Sequence, residues 1–174
     1  MKITLGITGS VAAIKTLNLV EKLQNQGHEI FVVVTKNAEQ FFNVEEMKKL
    51  VGGNYFSHEI LKPDEELINH ISLSQDNDLL LIAPATFNFI NKVANGIADD
   101  LLTSIFAART IPTIICPAMN TNMWNKRILQ NNINSIEDVE IIQPIYKMLA
   151  CGYEGIGAMA EVDDIINYIE NSHM

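Results

Sequence analysis

Cysteine is scarce in this chain. Its 174 residues hold two, Cys116 and Cys151, too few for a disulfide framework and neither in a paired metal-ligand spacing. Each therefore needs its own explanation, and no metal is expected. Basic residues are also few: 12 lysines and arginines face 21 acidic residues, a net charge of -9. Such a chain repels nucleic acid and anionic membranes, so neither is an expected partner and any phosphate must be held by local geometry. No apolar run approaches the ~18 residues of a membrane span. Met1-Lys2-Ile3-Thr4-Leu5-Gly6 runs straight into an apolar strand, without the charged region, apolar stretch and small-residue cleavage site of a signal peptide. The expectation is a cytoplasmic protein. Both phosphate-loop fingerprints, G-x-G-x-x-G and G-x-x-x-x-G-K-[ST], are missing as well.

What is present is apolar: 48% hydrophobic against 19% charged residues, which excludes disorder. The length suits one domain, 1–174, able to bury roughly 70% of its unfolded surface in a single core. Residues 2 to 7 form a continuous apolar run ending in Thr8-Gly9-Ser10. Val11, Ile14, Leu17, Val20 and Leu23 then follow helical spacing until Gly27. Further strands are expected at 30–35, 79–83 (closed by Pro84), 111–116 and 139–143. Helix is expected within 38–50, over 87–108 with a break at Asn95-Gly96, and over 163–171, with a weakly patterned stretch before residue 69. Strands that are apolar throughout belong to a parallel sheet covered on both faces, so the predicted fold is a doubly wound α/β domain, Rossmann-like or flavodoxin-like.

Ligands of such sheets sit beyond the carboxyl ends of the strands. The residues there are Thr8-Gly9-Ser10-Val11, Thr35-Lys36-Asn37, Pro84-Ala85-Thr86-Phe87-Asn88 and Pro117-Ala118-Met119-Asn120, dominated by hydroxyls and amides. Gly9 and Ser10 open a helix, where free N–H groups and the dipole favour an anion; plain serine capping after a glycine turn explains them equally well. With both dinucleotide and Walker fingerprints absent, a mononucleotide such as FMN fits better.

Three single residues stand out. Asn120, amid the apolar Pro117 to Trp124, carries two donors and an acceptor that suit a planar polar ligand. His70 lies among aliphatic neighbours and reads either as a structural residue or as the proton acceptor for chemistry near neutral pH; His28, His58 and His173 lack that company. Cys151 sits in Leu149-Ala150-Cys151-Gly152-Tyr153-Glu154-Gly155-Ile156-Gly157, where three glycines in six residues oppose regular packing. A movable flap delivering a proton or nucleophile is one reading, a plain loop the other. Cys116, ending an apolar strand, reads as a small core residue.

Six ordered segments together carry a resemblance: Gly9 to Lys15, His70-Ile71-x-Leu73, Pro84-Ala85-Thr86-x-Asn88, Ala94 to Leu102, Pro117-Ala118-Met119-Asn120 and Leu149-Ala150-Cys151-Gly152. Over residues 3 to about 165 the chain resembles the phosphopantothenoylcysteine decarboxylases, homo-oligomeric flavin-containing cysteine decarboxylases. The resemblance implies FMN bound between subunits of a trimer, sometimes with trimers assembled into a dodecamer, and a small-molecule substrate on the way to coenzyme A. It implies FMN contacts at Gly9, Ser10, Val11, Thr35, Asn37, Thr86, Phe87, Asn88, Phe89 and Ala118, and substrate contacts at Asn120, Met123 and Ala150. His70 would be the active-site base. In the implied reaction the substrate cysteine is oxidised, carbon dioxide leaves to give an enethiolate, Cys151 donates a proton and the hydride returns. Relatives lacking this cysteine stop at the enethiol in lantibiotic peptides, so Cys151 favours the coenzyme A reaction over the alternatives, a peptidyl-cysteine decarboxylase or a non-enzymatic FMN-binding regulatory subunit. Phe87 and Phe89 replace smaller residues usual around Asn88, and Ala158 stands where bacterial decarboxylases commonly carry an arginine.

Overall fold

The computed structural model describes residues 1–57 and 70–172. His58 and His173 lie outside the described residues. Strand β1 (Lys2–Ile7) leads through Thr8-Gly9-Ser10 into a 3-10 helix, Val11–Lys15, and then α1 (Thr16–Asn25). The first part of the expected helix is thus wound more tightly than α. Gly27 ends the unit at φ +85, a left-handed conformation that glycine adopts without a Cβ clash. There follow β2 (Glu29–Val34), a 3-10 turn at Glu39–Phe41, α2 (Val44–Val51), β3 (Tyr55–Phe56) and α3 (His70–Gln75). Next come β4 (Leu79–Ala85), α4 (Phe87–Ala94), α5 (Leu101–Ala108), β5 (Thr113–Pro117), α6 (Thr121–Trp124), α7 (Arg127–Ser135) and β6 (Glu140–Ile141). A hairpin of β7 (Ile145–Met148) and β8 (Glu154–Ala158) precedes α8 (Val162–Ser172).

The main sheet has six strands in the order β3-β2-β1-β4-β5-β6, and every pairing in it is parallel. Of the two expected doubly wound patterns, this is the Rossmann order. The chain winds outward from β1 through β2 to β3, then restarts on the other side of β1 at β4. The direction therefore reverses between β1 and β4, where a ligand crevice opens beyond the strand ends.

Alternate residues of the strands feed two cores. Ile3, Leu5, Ile7, Val32, Leu81 and Ile114 pack with Leu19, Leu23, Ile165 and Ile169 of α1 and α8; Val33, Leu80, Ile82 and Ile115 pack with Ile90, Leu102, Ile105 and Leu129 of α4, α5 and α7. Helix α5 sits unusually close to β1, because a Cβ on Gly6 would come within 2.6 Å of a Leu102 methyl. Between α4 and α5, Asp100 and Thr103 form a reciprocal capping box that restarts the helix after Gly96.

Several elements depart from expectation. β4 does not stop at Pro84 but continues to Ala85, and the missing proline N–H coincides with a register irregularity against β5 between Ile82 and Ala85. β3 is two residues long and carries no readable pattern. α7 buries Leu129 and Ile133 within a segment that is polar apart from these two and the exposed Ile128. The glycine-rich segment read as a movable flap or a plain loop forms the turn and the second strand of a hairpin. Among the described residues, no helix is long and apolar enough to cross a membrane.

Candidate active site

A cavity of about 490 Å³ opens at the carboxyl ends of β1, β2, β4 and β5. Thr8, at the end of β1, fastens its floor: its hydroxyl donates to the Pro84 carbonyl at 2.8 Å and accepts from the Thr86 N–H at 2.9 Å. Gly9 lies against the β2 loop, where an added Cβ would meet the Asn37 Cβ at 2.7 Å. The Gly9, Val11, Phe87 and Asn88 N–H groups have no hydrogen-bond partner among the described residues. Two helix starts, after β1 and after β4, thus present free donors together. Thr86 caps α4, accepting from the Phe89 N–H. This is the donor set an anion needs in a chain of negative net charge.

A smaller cavity of about 350 Å³ shares Ser10, Ala118 and Met119 with the larger one. Its outer wall is the hairpin. Gly157 there adopts φ +144, and a Cβ on it would collide with the Met119 carbonyl oxygen; one on Gly155 would collide with the Thr121 hydroxyl. The glycines let β8 press against the loop after β5, with the Met119 N–H donating to the Gly157 carbonyl at 2.9 Å. They create close packing rather than oppose it. At the hairpin tip the Asn120 side-chain amide donates to the Tyr153 hydroxyl and lies 3.5 Å from the Cys151 sulfur. Its oxygen caps α6 by accepting from the Asn122 N–H at 2.7 Å. The demand of Asn120 for polar partners is therefore met within the chain, and a ligand would exchange for Tyr153 rather than fill an empty bond.

Of the residues expected at the cofactor, Gly9, Ser10, Thr35, Asn37, Thr86, Phe87, Asn88, Phe89 and Ala118 line the larger cavity. Val11 lines the smaller one instead, beside Asn120, Ala150 and Cys151. Met123, expected beside the substrate with Asn120, faces the larger cavity. Ser10 caps, accepting from the Ala12 N–H at 3.2 Å, and also lines the cavity. His70, at the start of the described part of α3, lines neither cavity. Cys116 is fully buried in the sheet, where burial raises its thiol pKa, while Cys151 is exposed.

Lys36, Lys92, Asp100, Thr103 and Met119 also line the larger cavity without having been read from sequence as site residues; Lys36, Asp100 and Met119 lay inside segments already singled out. Tyr153, two residues past Cys151, was the nearest missed signal. A hollow of about 570 Å³ lies away from these loops, among Arg109, Ile111, Glu137 and Asp138. There the Arg109 guanidinium donates to the Phe106 and Glu137 carbonyls, so its chemistry is that of a helix-end clasp.

A family model described as Flavoprotein matches residues 1–174. The chain belongs to the flavoprotein family. It is 38% identical over 173 residues to a probable phosphopantothenoylcysteine decarboxylase of Streptococcus mutans, with 97% of each chain covered. A solved PPC decarboxylase, a cysteine-to-serine mutant complexed with pantothenoylaminoethenethiol, superposes with a TM-score of 0.85 at 33% identity, covering 98% of this chain and 97% of that one. A solved FMN-binding protein superposes with a TM-score of 0.82 at 34% identity, covering 99% and 96%. The family membership agrees with a donor-lined cavity at the sheet's switch point.

Proposed function

We propose that this protein is an FMN-dependent carboxy-lyase that converts 4'-phosphopantothenoylcysteine to 4'-phosphopantetheine in coenzyme A biosynthesis, acting as a cytoplasmic homo-oligomer of one domain over residues 1–174. The observation that carries the reading is the pair of cavities sharing the Ser10, Ala118 and Met119 wall, one lined with free backbone donors and the other with Asn120 and Cys151.

The larger cavity fits FMN by its donors: the Gly9, Phe87 and Asn88 N–H groups and the Ser10 hydroxyl suit a phosphate, and Asn37, Asn88 and Thr35 supply further polar contacts. When bound there, FMN supplies reversible two-electron oxidation of the substrate cysteine. The chain's own residues do the rest. Asn120 turns its amide from Tyr153 to the substrate carboxylate and orients it, with Ala150 closing that side. Cys151, already 3.5 Å from the same amide, returns a proton once carbon dioxide has left. Met119 and Ala118 keep water from the shared wall.

His70 lines neither cavity of its own chain. The resemblance, with FMN bound between subunits, supports a trimer in which His70 serves as base in a neighbouring copy's site, trimers assembling further into a dodecamer in some relatives. Cys151 beside Asn120 also supports the small-molecule reaction over peptide decarboxylation, which would not need it.

The test is carbon dioxide release from 4'-phosphopantothenoylcysteine by the purified yellow protein, with product identified as phosphopantetheine. Yellow protein without turnover would overturn the substrate assignment, and colourless protein unable to take up FMN would overturn the cofactor.

A further inference from the structure

The smaller cavity is apolar along Val11, Ile14 and Met148, yet two ammonium groups, Lys15 and Lys147, belong to its lining. They come from different elements, the 3-10 helix after β1 and strand β7, and meet on one carboxylate. Lys15 Nζ lies 2.8 Å from one oxygen of Glu161 and Lys147 Nζ 2.7 Å from the other. Two cations on one anion leave the cluster at +1 within a chain of net charge -9. Each ammonium has three donors, and neither has another partner among the described residues. A second anion can be received there without breaking the existing pairs.

Position adds to chemistry. Lys147 lies on β7, and Cys151 in the turn that follows it, both in the lining of the same cavity. Lys15 follows Val11 by four residues of 3-10 helix, about 8 Å. The cavity thus joins a reacting part (Asn120, Cys151), an apolar stretch and a cationic pair, the sequence of surfaces that a long acyl arm ending in phosphate requires. Ala158, also in its lining, offers no charge of its own.

Resting on the smaller cavity as the substrate site, we infer that Lys15 and Lys147 together receive the 4'-phosphate of the substrate, with Val11, Ile14 and Met148 along its arm, and so set the preference for a phosphorylated small molecule. Charge-assisted bonds to phosphate are among the stronger polar contacts, and a preference of at least about tenfold over the dephosphorylated ligand is expected, on the scale where tenfold is ~1.4 kcal/mol.

The test uses FMN-loaded protein and two fragments without the reacting cysteine, 4'-phosphopantothenate and pantothenate, titrated calorimetrically. The wild type should prefer the phosphorylated fragment at least about tenfold, Lys147→Gln should cut that ratio severalfold, and Lys15→Gln combined with Lys147→Gln should bring it near one. Lys22→Gln, which breaks the separate pair with Asp163 between α1 and α8, should keep the ratio and serves as the control for charge loss alone. A preference that survives the double variant, equal binding of both fragments by the wild type, or binding of neither would each overturn the assignment. Carbon dioxide assays on the same wild-type sample separate the two readings: preference intact with no turnover of 4'-phosphopantothenoylcysteine removes the decarboxylase and leaves the phosphate site.

Discussion

The loops at the sheet's switch point and the hairpin opposite them form two walls of one site, fastened in different ways. The loops are continuations of the parallel ladder: Thr8 and Thr86 bond across β1 and β4, the Thr35 N–H donates to the Ile7 carbonyl at 3.0 Å, and the Ala118 N–H to the Ala85 carbonyl at 2.9 Å. The hairpin has two strands, and β7 is largely exposed. Such a unit is marginal by itself, so its place depends on a few attachments: the Met119 to Gly157 bond, Asn120 at the tip and Lys147 on Glu161. The wall proposed for the cofactor is thus preorganised by the core, while the wall carrying Cys151 can yield locally without unfolding the sheet.

The largest expected effect separates the walls by chemistry. Cys151→Ser should lower phosphopantetheine formation by ~10²–10⁴, the range of a lost proton donor, while carbon dioxide still appears and an enethiol accumulates. Product analysis beside a carbon dioxide assay checks this; full phosphopantetheine output from the variant would remove Cys151 from the mechanism. On the other wall, Gly9→Ala places a methyl 2.7 Å from the Asn37 Cβ. Overpacking of this kind costs roughly 1–3 kcal/mol, so FMN affinity, read by flavin fluorescence titration, should fall about ten- to a hundredfold. Unchanged affinity would place the flavin elsewhere.

The same contrast explains what was legible in the sequence. The loops lining the larger cavity follow strands whose apolar runs are continuous because both faces of the sheet are covered, and each loop is simply the next few residues; so the placement of Gly9, Thr35, Thr86 and Ala118 beyond the strand ends, where they line that cavity, was legible from pattern alone. The close packing of the hairpin was not legible because Gly155 and Gly157 were judged by their own flexibility, whereas their fit is set by distant partners, Thr121 and Met119. α6 and α7 were missed because a four-residue helix capped by Asn120 and a helix burying Leu129 and Ile133 in polar surroundings give little periodicity. Asn120 stood out for a reason the structure corrects: its amide already has Tyr153. His70 stood out by its neighbours, and its absence from both cavities is a matter of tertiary placement that local sequence does not encode.

Attachment of the hairpin tip is itself measurable, since Cys116 is buried and its thiol raised in pKa, leaving Cys151 as the reactive sulfur. Tyr153→Phe removes a neutral hydrogen bond of ~0.5–1.5 kcal/mol, so alkylation of Cys151 in FMN-loaded protein should accelerate about two- to tenfold. An unchanged rate would mean that the tip is held by its backbone and that the Asn120 to Tyr153 bond does not restrain it.

The smallest effect concerns the other attachment. Lys15 and Lys147 hold the Glu161 carboxyl at about 2, down from an ordinary value near 4.5. A carboxyl whose pKa is lower in the folded state stabilises fully above its unfolded value and loses that contribution as pH falls through the folded one, so the window lies between about 4.5 and 2. Glu161 is 42% exposed, and solvent screening limits each pair to ~0.2–1 kcal/mol. Glu161→Gln should therefore cost a little stability at pH 7 in urea unfolding. Its deficit relative to wild type should shrink steadily below pH 4.5 and be smaller in high salt at neutral pH. A deficit that stays constant from pH 7 to the bottom of that window would show that the hairpin is braced by the shape of the Glu161 side chain rather than by its charge, and the two walls would then differ in the number of their attachments but not in kind.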